Sequence, residues 1–154
     1  MPALHKISIN FYDAEYSLIA IHTSLEAYRL VYWLNIHLKT KFKRQKNNLD
    51  LNTAAQFSVF DWQDTRTDSY WALLSNKQLS SVALESQDLF SETLLEKKQY
   101  LIPEHKGVDF FLKIEDEGYL NIAQLVAQLK QIAVIATAFE IDCNQIKSKN
   151  NLIF

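Results

Sequence analysis

Glycine is nearly absent from this sequence. Gly107 and Gly118 are the two glycines in 154 residues, and phosphate-cradling loops need glycine wherever the backbone takes positive φ or closely approaches a ligand. There is accordingly no Walker loop and no G-x-G-x-x-G. A G-x-S-x-G nucleophile elbow, an H-E-x-x-H zinc pair and a calcium-loop pattern are missing too. The common short routes to an enzyme assignment are closed, and no catalytic residue or cofactor is expected.

Cysteine is equally scarce. Cys143 stands alone, which excludes an internal disulfide framework and every multi-cysteine zinc arrangement; near the end of an expected strand it reads as a packing residue. His5, His22, His37 and His105 are scattered, with no i, i+4 pair, so no metal site is expected. Long hydrophobic runs are also missing. The longest nearly apolar stretch, Ile132 to Phe139, falls far short of the roughly 18 residues that cross a bilayer. Met1 to Asn10 lacks a basic segment followed by an apolar one, so a cytosolic protein without membrane contact is expected. The formal charge of −2 supplies no general attraction to nucleic acid, which is not an expected partner.

What is present is apolar material: 48% of the residues are hydrophobic, enough for one core in one domain spanning residues 1–154. Ile7, Ile9 and Phe11 alternate with polar neighbours as in a strand, Asp13-Ala14-Glu15 reads as a turn, and Tyr16 to Ile21 reads as a more central strand antiparallel to the first. Thr23 and Glu26 have capping-box spacing. Ala27, Leu30, Val31, Leu34 and Leu38 then form one helical stripe, which Tyr28, Tyr32, Trp33 and Ile36 widen into a heavily covered helix. From Leu38 to Lys46 the period changes to that of a strand.

Phe57 to Trp62, Ser69 to Ser75 and Leu79 to Leu84 read as an antiparallel meander. Glu85 to Gln99 is mixed in pattern and open between a loop and a short helix. Val108 to Ile114 alternates as a strand, Gly118 marks a turn, and Ile122, Leu125, Val126, Leu129 and Ala133 make a second helical stripe. Val134 to Ile141 is a last strand, brought in by a crossover that joins parallel neighbours. The expected fold is α+β, a mixed, mostly antiparallel sheet with two amphipathic helices on one face.

The segment Ile102-Pro103-Glu104-His105-Lys106-Gly107-Val108-Asp109-Phe110 resembles the signature of the IPExxxVDY family, small proteins of the Bacteroidota with no assigned activity. Phe110 stands where that signature ends in tyrosine, keeping the ring and losing the hydroxyl. The resemblance extends to overall length, to the helix around Tyr28–Asn35 and to the basic C-terminal tail of about residues 147–154. It implies a bacterial cytosolic protein and brings no catalytic residues.

Three functional expectations follow. The leading one is a non-enzymatic interaction module, self-association being one form of it, which meets a protein partner through an aromatic sheet face (Trp62, Trp71) or through Leu152, Ile153 and Phe154. The alternative is a small enzyme or small-ligand binder whose pocket gathers Glu104, Asp109 and Arg29, within the motif site Ile102, Pro103, Glu104, Val108, Asp109 and Phe110. A third is RNA binding through Lys39, Lys41, Lys43, Arg44 and Lys46, which put five positive charges into eight residues. Against it, lysines along an edge strand also protect a sheet from pairing with other sheets.

Overall fold

Strands that are apolar on both sides need cover on both sides, and that requirement organises this fold. The computed structural model describes residues 16–51, 55–83 and 94–154. The elements are β1 (Tyr16–His22), α1 (Ala27–His37), β2 (Lys43–Arg44), β3 (Leu49–Asp50), β4 (Gln56–Phe57), β5 (Val59–Asp64), β6 (Ser69–Ser75), β7 (Lys77–Ala83), β8 (Leu94–Tyr100), β9 (Phe110–Glu115), α2 (Ile122–Gln131) and β10 (Thr137–Ile141). The main sheet has the order β10-β1-β9-β6-β5-β2, every pairing antiparallel, with β3-β4 and β7-β8 as separate two-stranded ribbons. The expected α+β class is observed. No helix among the described residues is long and apolar enough to cross a membrane.

Alternation along each strand divides the interior in two. Ile19 and Ile21, Trp71 and Leu73, and Leu112 and Ile114 point to the face where α1 contributes Leu30, Val31 and Leu34 and α2 contributes Leu125 and Leu129. Both helices therefore share one face. Leu18, Ala20, Leu74 and Phe111 point the other way, under Phe57, Leu101, Ile102, Val108, Ile146 and Leu152. This second cover is assembled from the β3-β4 ribbon, the motif loop and the C-terminal tail. It overturns the expectation of an open aromatic sheet face. Trp71 is buried with its indole N–H donating to Ser69 Oγ at 2.8 Å, and Trp62 is half-buried against the helix-side core.

Several local expectations change for the same reason, that tertiary partners outcompete local ones. The Thr23–Glu26 capping box does not form. Thr23 Oγ1 instead donates to the Val134 carbonyl at 2.6 Å and accepts from the Leu25 amide, while Glu26 is an N-cap without a side-chain cap bond. Tyr28, Tyr32 and Ile36 do not widen the buried stripe. Each lies two residues from Leu30 or Leu34, about 200° around the helix, and so faces outward. The strand expected over Leu38 to Lys46 shrinks to Lys43–Arg44, because the Asn35 side chain captures the intervening loop: its Oδ1 accepts from Thr40 Oγ1 and the Phe42 amide at 2.9 Å each, and Lys39 turns through φ 55°.

The crossover from β9 through α2 to β10 joins strands that run parallel but are not neighbours, since β1 lies between them and pairs with both. Both edges of β1 are thus occupied from Leu18 to Ile21. The strand expected at Ile7 to Phe11, the turn at Asp13 to Glu15 and most of the open segment from Glu85 lie outside the described residues. The described end of that segment is β8, a strand.

The tail folds back on its own chain. Leu152 is fully buried, so it belongs to the core and not to a partner surface, while Ile153 and Phe154 are exposed. Lys113, buried on β9, donates from Nζ to the Leu152 carbonyl at 2.9 Å, pairs with Glu115, and sits 5.0 Å from the Tyr16 ring and 4.9 Å from the Phe154 ring. A buried ammonium needs such company. Burial, and then the adjacent Cys143 thiol, pushes the Tyr16 hydroxyl up to about 12, while burial raises Cys143 as well and keeps its thiol in the unreactive form. Leu152→Ala is expected to lower unfolding free energy by about 2–5 kcal/mol and Ile153→Ala by less than about 0.5 kcal/mol. Urea titrations of the two variants check this, and equal effects would mean the tail is not docked.

Candidate functional site

The motif loop between β8 and β9 is heavily hydrogen-bonded, and one residue outside the motif is its centre. Asn76, at the bend from β6 to β7, is fully buried. Its amide nitrogen donates to the His105 carbonyl at 2.8 Å and to the Val108 carbonyl at 2.9 Å, and its Oδ1 accepts from the Ile102 amide at 2.9 Å. Its backbone N–H donates to the Asp109 carbonyl and its carbonyl accepts from the Leu101 amide, both at 2.9 Å. Both side-chain protons and the side-chain oxygen of one asparagine thus hold the ends and middle of the loop, as burial of polar backbone requires.

Around that centre each motif residue has a structural task. Ile102 and Val108 are buried in the tail-side core, and Phe110 in the helix-side core. Pro103 begins the short 3-10 helix Pro103–His105, where a missing N–H is harmless. Glu104 reaches the tail, its Oε1 accepting from the Ser148 amide at 2.9 Å and the Ser148 hydroxyl at 3.0 Å. Asp109 ties the loop to the β1-α1 junction: Oδ2 accepts from the Thr23 amide at 3.0 Å, Oδ1 accepts from Lys77 Nζ at 2.8 Å, and His22 Nδ1 lies 3.8 Å away.

The expected gathering of Glu104, Asp109 and Arg29 is not found. Glu104 is bonded to the tail, Asp109 to Thr23 and Lys77, and Arg29 is exposed on α1. The reason is the sharp return of the chain after Pro103, which sends Glu104 toward residue 148 while Asp109 enters the sheet between β1 and β6. Asp109 does line a shallow cleft of about 610 Å³ with His22, Thr23, Ser24, Val134 and Ala136. The His22 ring there stacks on Phe139 at 5.8 Å. No group of three or more His, Cys, Asp or Glu suited to a metal ion occurs among the described residues.

The surface offers a different candidate. Tyr28 and Tyr32 are each 63% exposed and Ile36 52% exposed, one helical turn apart along the outside of α1. Trp33, half-buried beside them, stacks on His37 at 5.4 Å with the rings 13° apart. Glu26, by hydrogen bonding and charge, raises the pKa of the exposed Tyr28 hydroxyl above its ordinary value. In sequence these aromatics merged with the inward stripe, and counting each one's angle from Leu30 and Leu34 was the signal that separated them. Comparison of the chain with protein-family models, with curated proteins and with solved structures returns no match.

Two outcomes test the motif loop. Asn76→Ala leaves the Ile102 amide and two carbonyls without their partner, which predicts a loss of about 3–5 kcal/mol in chemical denaturation, several times the cost of an ordinary surface change. Glu104 carries the pH dependence. Desolvation acts upward on it, but the backbone and Ser148 bonds to the carboxylate prevail and hold its pKa below the ordinary value. A depressed folded pKa means that its contribution is present above the unfolded value of about 4.3 and is lost as pH falls through the folded one. The Ser148 amide resonance should therefore titrate below about pH 4.3 in an NMR series, and Glu104→Gln should abolish that titration.

Proposed function

We propose that this chain is a cytoplasmic, non-catalytic interaction module of the IPExxxVDY type, which meets a protein partner through the outer face of α1. One observation carries the reading: Tyr28, Tyr32 and Ile36 form an exposed apolar stripe on a helix whose inner residues Leu30 and Leu34 are completely buried. The core needs nothing from those side chains. Tyrosine at an interface adds large area at low entropic cost and keeps a polar tip for a hydrogen bond, and apolar side chains about one turn apart on one helix face are what a facing groove can read. Because the motif residues are engaged in holding the loop and the tail, they serve this function as scaffold. Ile153 and Phe154 are the remaining exposed apolar residues of the tail and supply a secondary contact.

A photo-crosslinking amino acid at position 32, in the native cell, should yield a discrete adduct of defined mass. The same probe at Lys130, exposed on α2, should yield none. With the purified partner, or with a second copy of this chain if the adduct is a dimer, Tyr32→Ala should weaken binding about tenfold or more. Indistinguishable adduct patterns at positions 32 and 130 would refute this reading.

A further inference from the structure

A second surface lies at the β2 edge of the main sheet. From Ala27 to Leu49 the sequence contains Arg29, Lys39, Lys41, Lys43, Arg44 and Lys46 and no aspartate or glutamate, a concentration that the net charge of −2 conceals. All six are exposed, and none forms an ion pair among the described residues. Protection of a sheet edge accounts for few of them, because β2 is two residues long and Lys39 and Lys41 precede it in an irregular loop.

Beside these cations stands a fixed aromatic ring. Trp62 is half-buried, 5.6 Å from Trp71 and 6.3 Å from Phe42 between ring centres, so its plane is set by the core. Its open part lines three adjoining clefts of about 410, 280 and 300 Å³. Lys41 and Lys43 line the first of these, and Lys41 and Arg66 the second. Two carboxylates lie here as well, and Asp61 lines the first cleft. Asp61 accepts from Gln45 at 2.6 Å and from Tyr70 at 3.1 Å, and Asp64 is held by Arg66. Neither is bonded to Lys41 or Lys43, whose charges face solvent.

We infer that Trp62, Lys41 and Lys43 form a binding site for single-stranded nucleic acid, the indole stacking a base and the two ammonium groups contacting the flanking phosphates. An immobilised aromatic ring that lines one cleft with lysines outside any ion pair is the combination such ligands use, since every base has a face to stack and every linkage a charge. A purely ionic contact with a run of acidic side chains would use the lysines and leave the indole without a task. With so few contacts the affinity belongs to the sequence-independent class, a Kd on the order of 1–100 µM at physiological salt.

The experiment is fluorescence anisotropy of a labelled ten-nucleotide oligouridylate with the full chain, over a series of salt concentrations. Lys41→Gln with Lys43→Gln alters exposed side chains and should reduce the salt slope by about 1.4, which is about 0.7 for each of two phosphates. Trp62→Leu should weaken binding about tenfold with the slope unchanged, while Trp62→Phe retains most of the affinity. Circular dichroism of each variant confirms the fold. Absence of binding at low salt overturns the inference, as does equal affinity for polyglutamate that is indifferent to Trp62→Leu, the outcome for an acidic protein partner. Neither result touches the α1 reading, which rests on other residues.

Discussion

The structure depends on one buried amide. A sheet that is apolar on both faces needs a second cover, and here the second cover includes an irregular loop whose peptide groups must be satisfied without water. Asn76 does this from the turn between two strands, by five hydrogen bonds of 2.8–2.9 Å to residues 101, 102, 105, 108 and 109. With the loop so held, Ile102 and Val108 enter the core, Glu104 receives the tail, and Asp109 braces the junction from which α1 departs. The tail in turn brings Leu152 under β9, where buried Lys113 takes its carbonyl. Loop, tail and sheet are in this sense one cooperative unit, and the charged groups inside it are accompanied by partners as their burial demands.

A consequence of this arrangement is that the aromatic surplus is smaller than the composition implies. Phe57, Phe60, Trp71 and Phe111 are all interior. Exposed apolar surface is found at particular places, above all the outer row of α1, so an interaction there does not compete with folding. The motif carboxylates, for their part, are bonded within the fold, Glu104 to the Ser148 amide and hydroxyl and Asp109 to the Thr23 amide and the Lys77 ammonium, the arrangement expected of groups that keep one geometry.

Much of the fold was legible. Ser69 to Ser75 was readable as a strand to the residue from its aromatic content, Tyr70 and Trp71. The inward stripes of α1 and α2 followed from 3.6-residue periodicity, and Tyr16 to Ile21 was readable as a well-covered strand from its unbroken apolar character. Less was legible where partners lie far away in sequence. Nothing in the sequence singled out Asn76, since its side-chain partners are 26 to 32 residues distant. Lys113 looked like the solvent-facing position of an alternating strand, until the tail covered that face.

The candidate site divides along the same line. Glu104 and Asp109 were identifiable as carboxylates with work to do, but their work, one toward Ser148 and the other toward Thr23 and Lys77, depends on where the chain returns after Pro103. The sequence by itself determined the class of fold, the positions of most strands and both helices, and the exclusion of disulfide and glycine-loop chemistry, because periodicity and composition are local properties that each segment carries alone. The tertiary structure alone decided that both sheet faces were covered, which aromatics reached the surface and whether the tail was free. Those are questions of which distant residues meet, and burial belongs to the pair that meets and not to either residue.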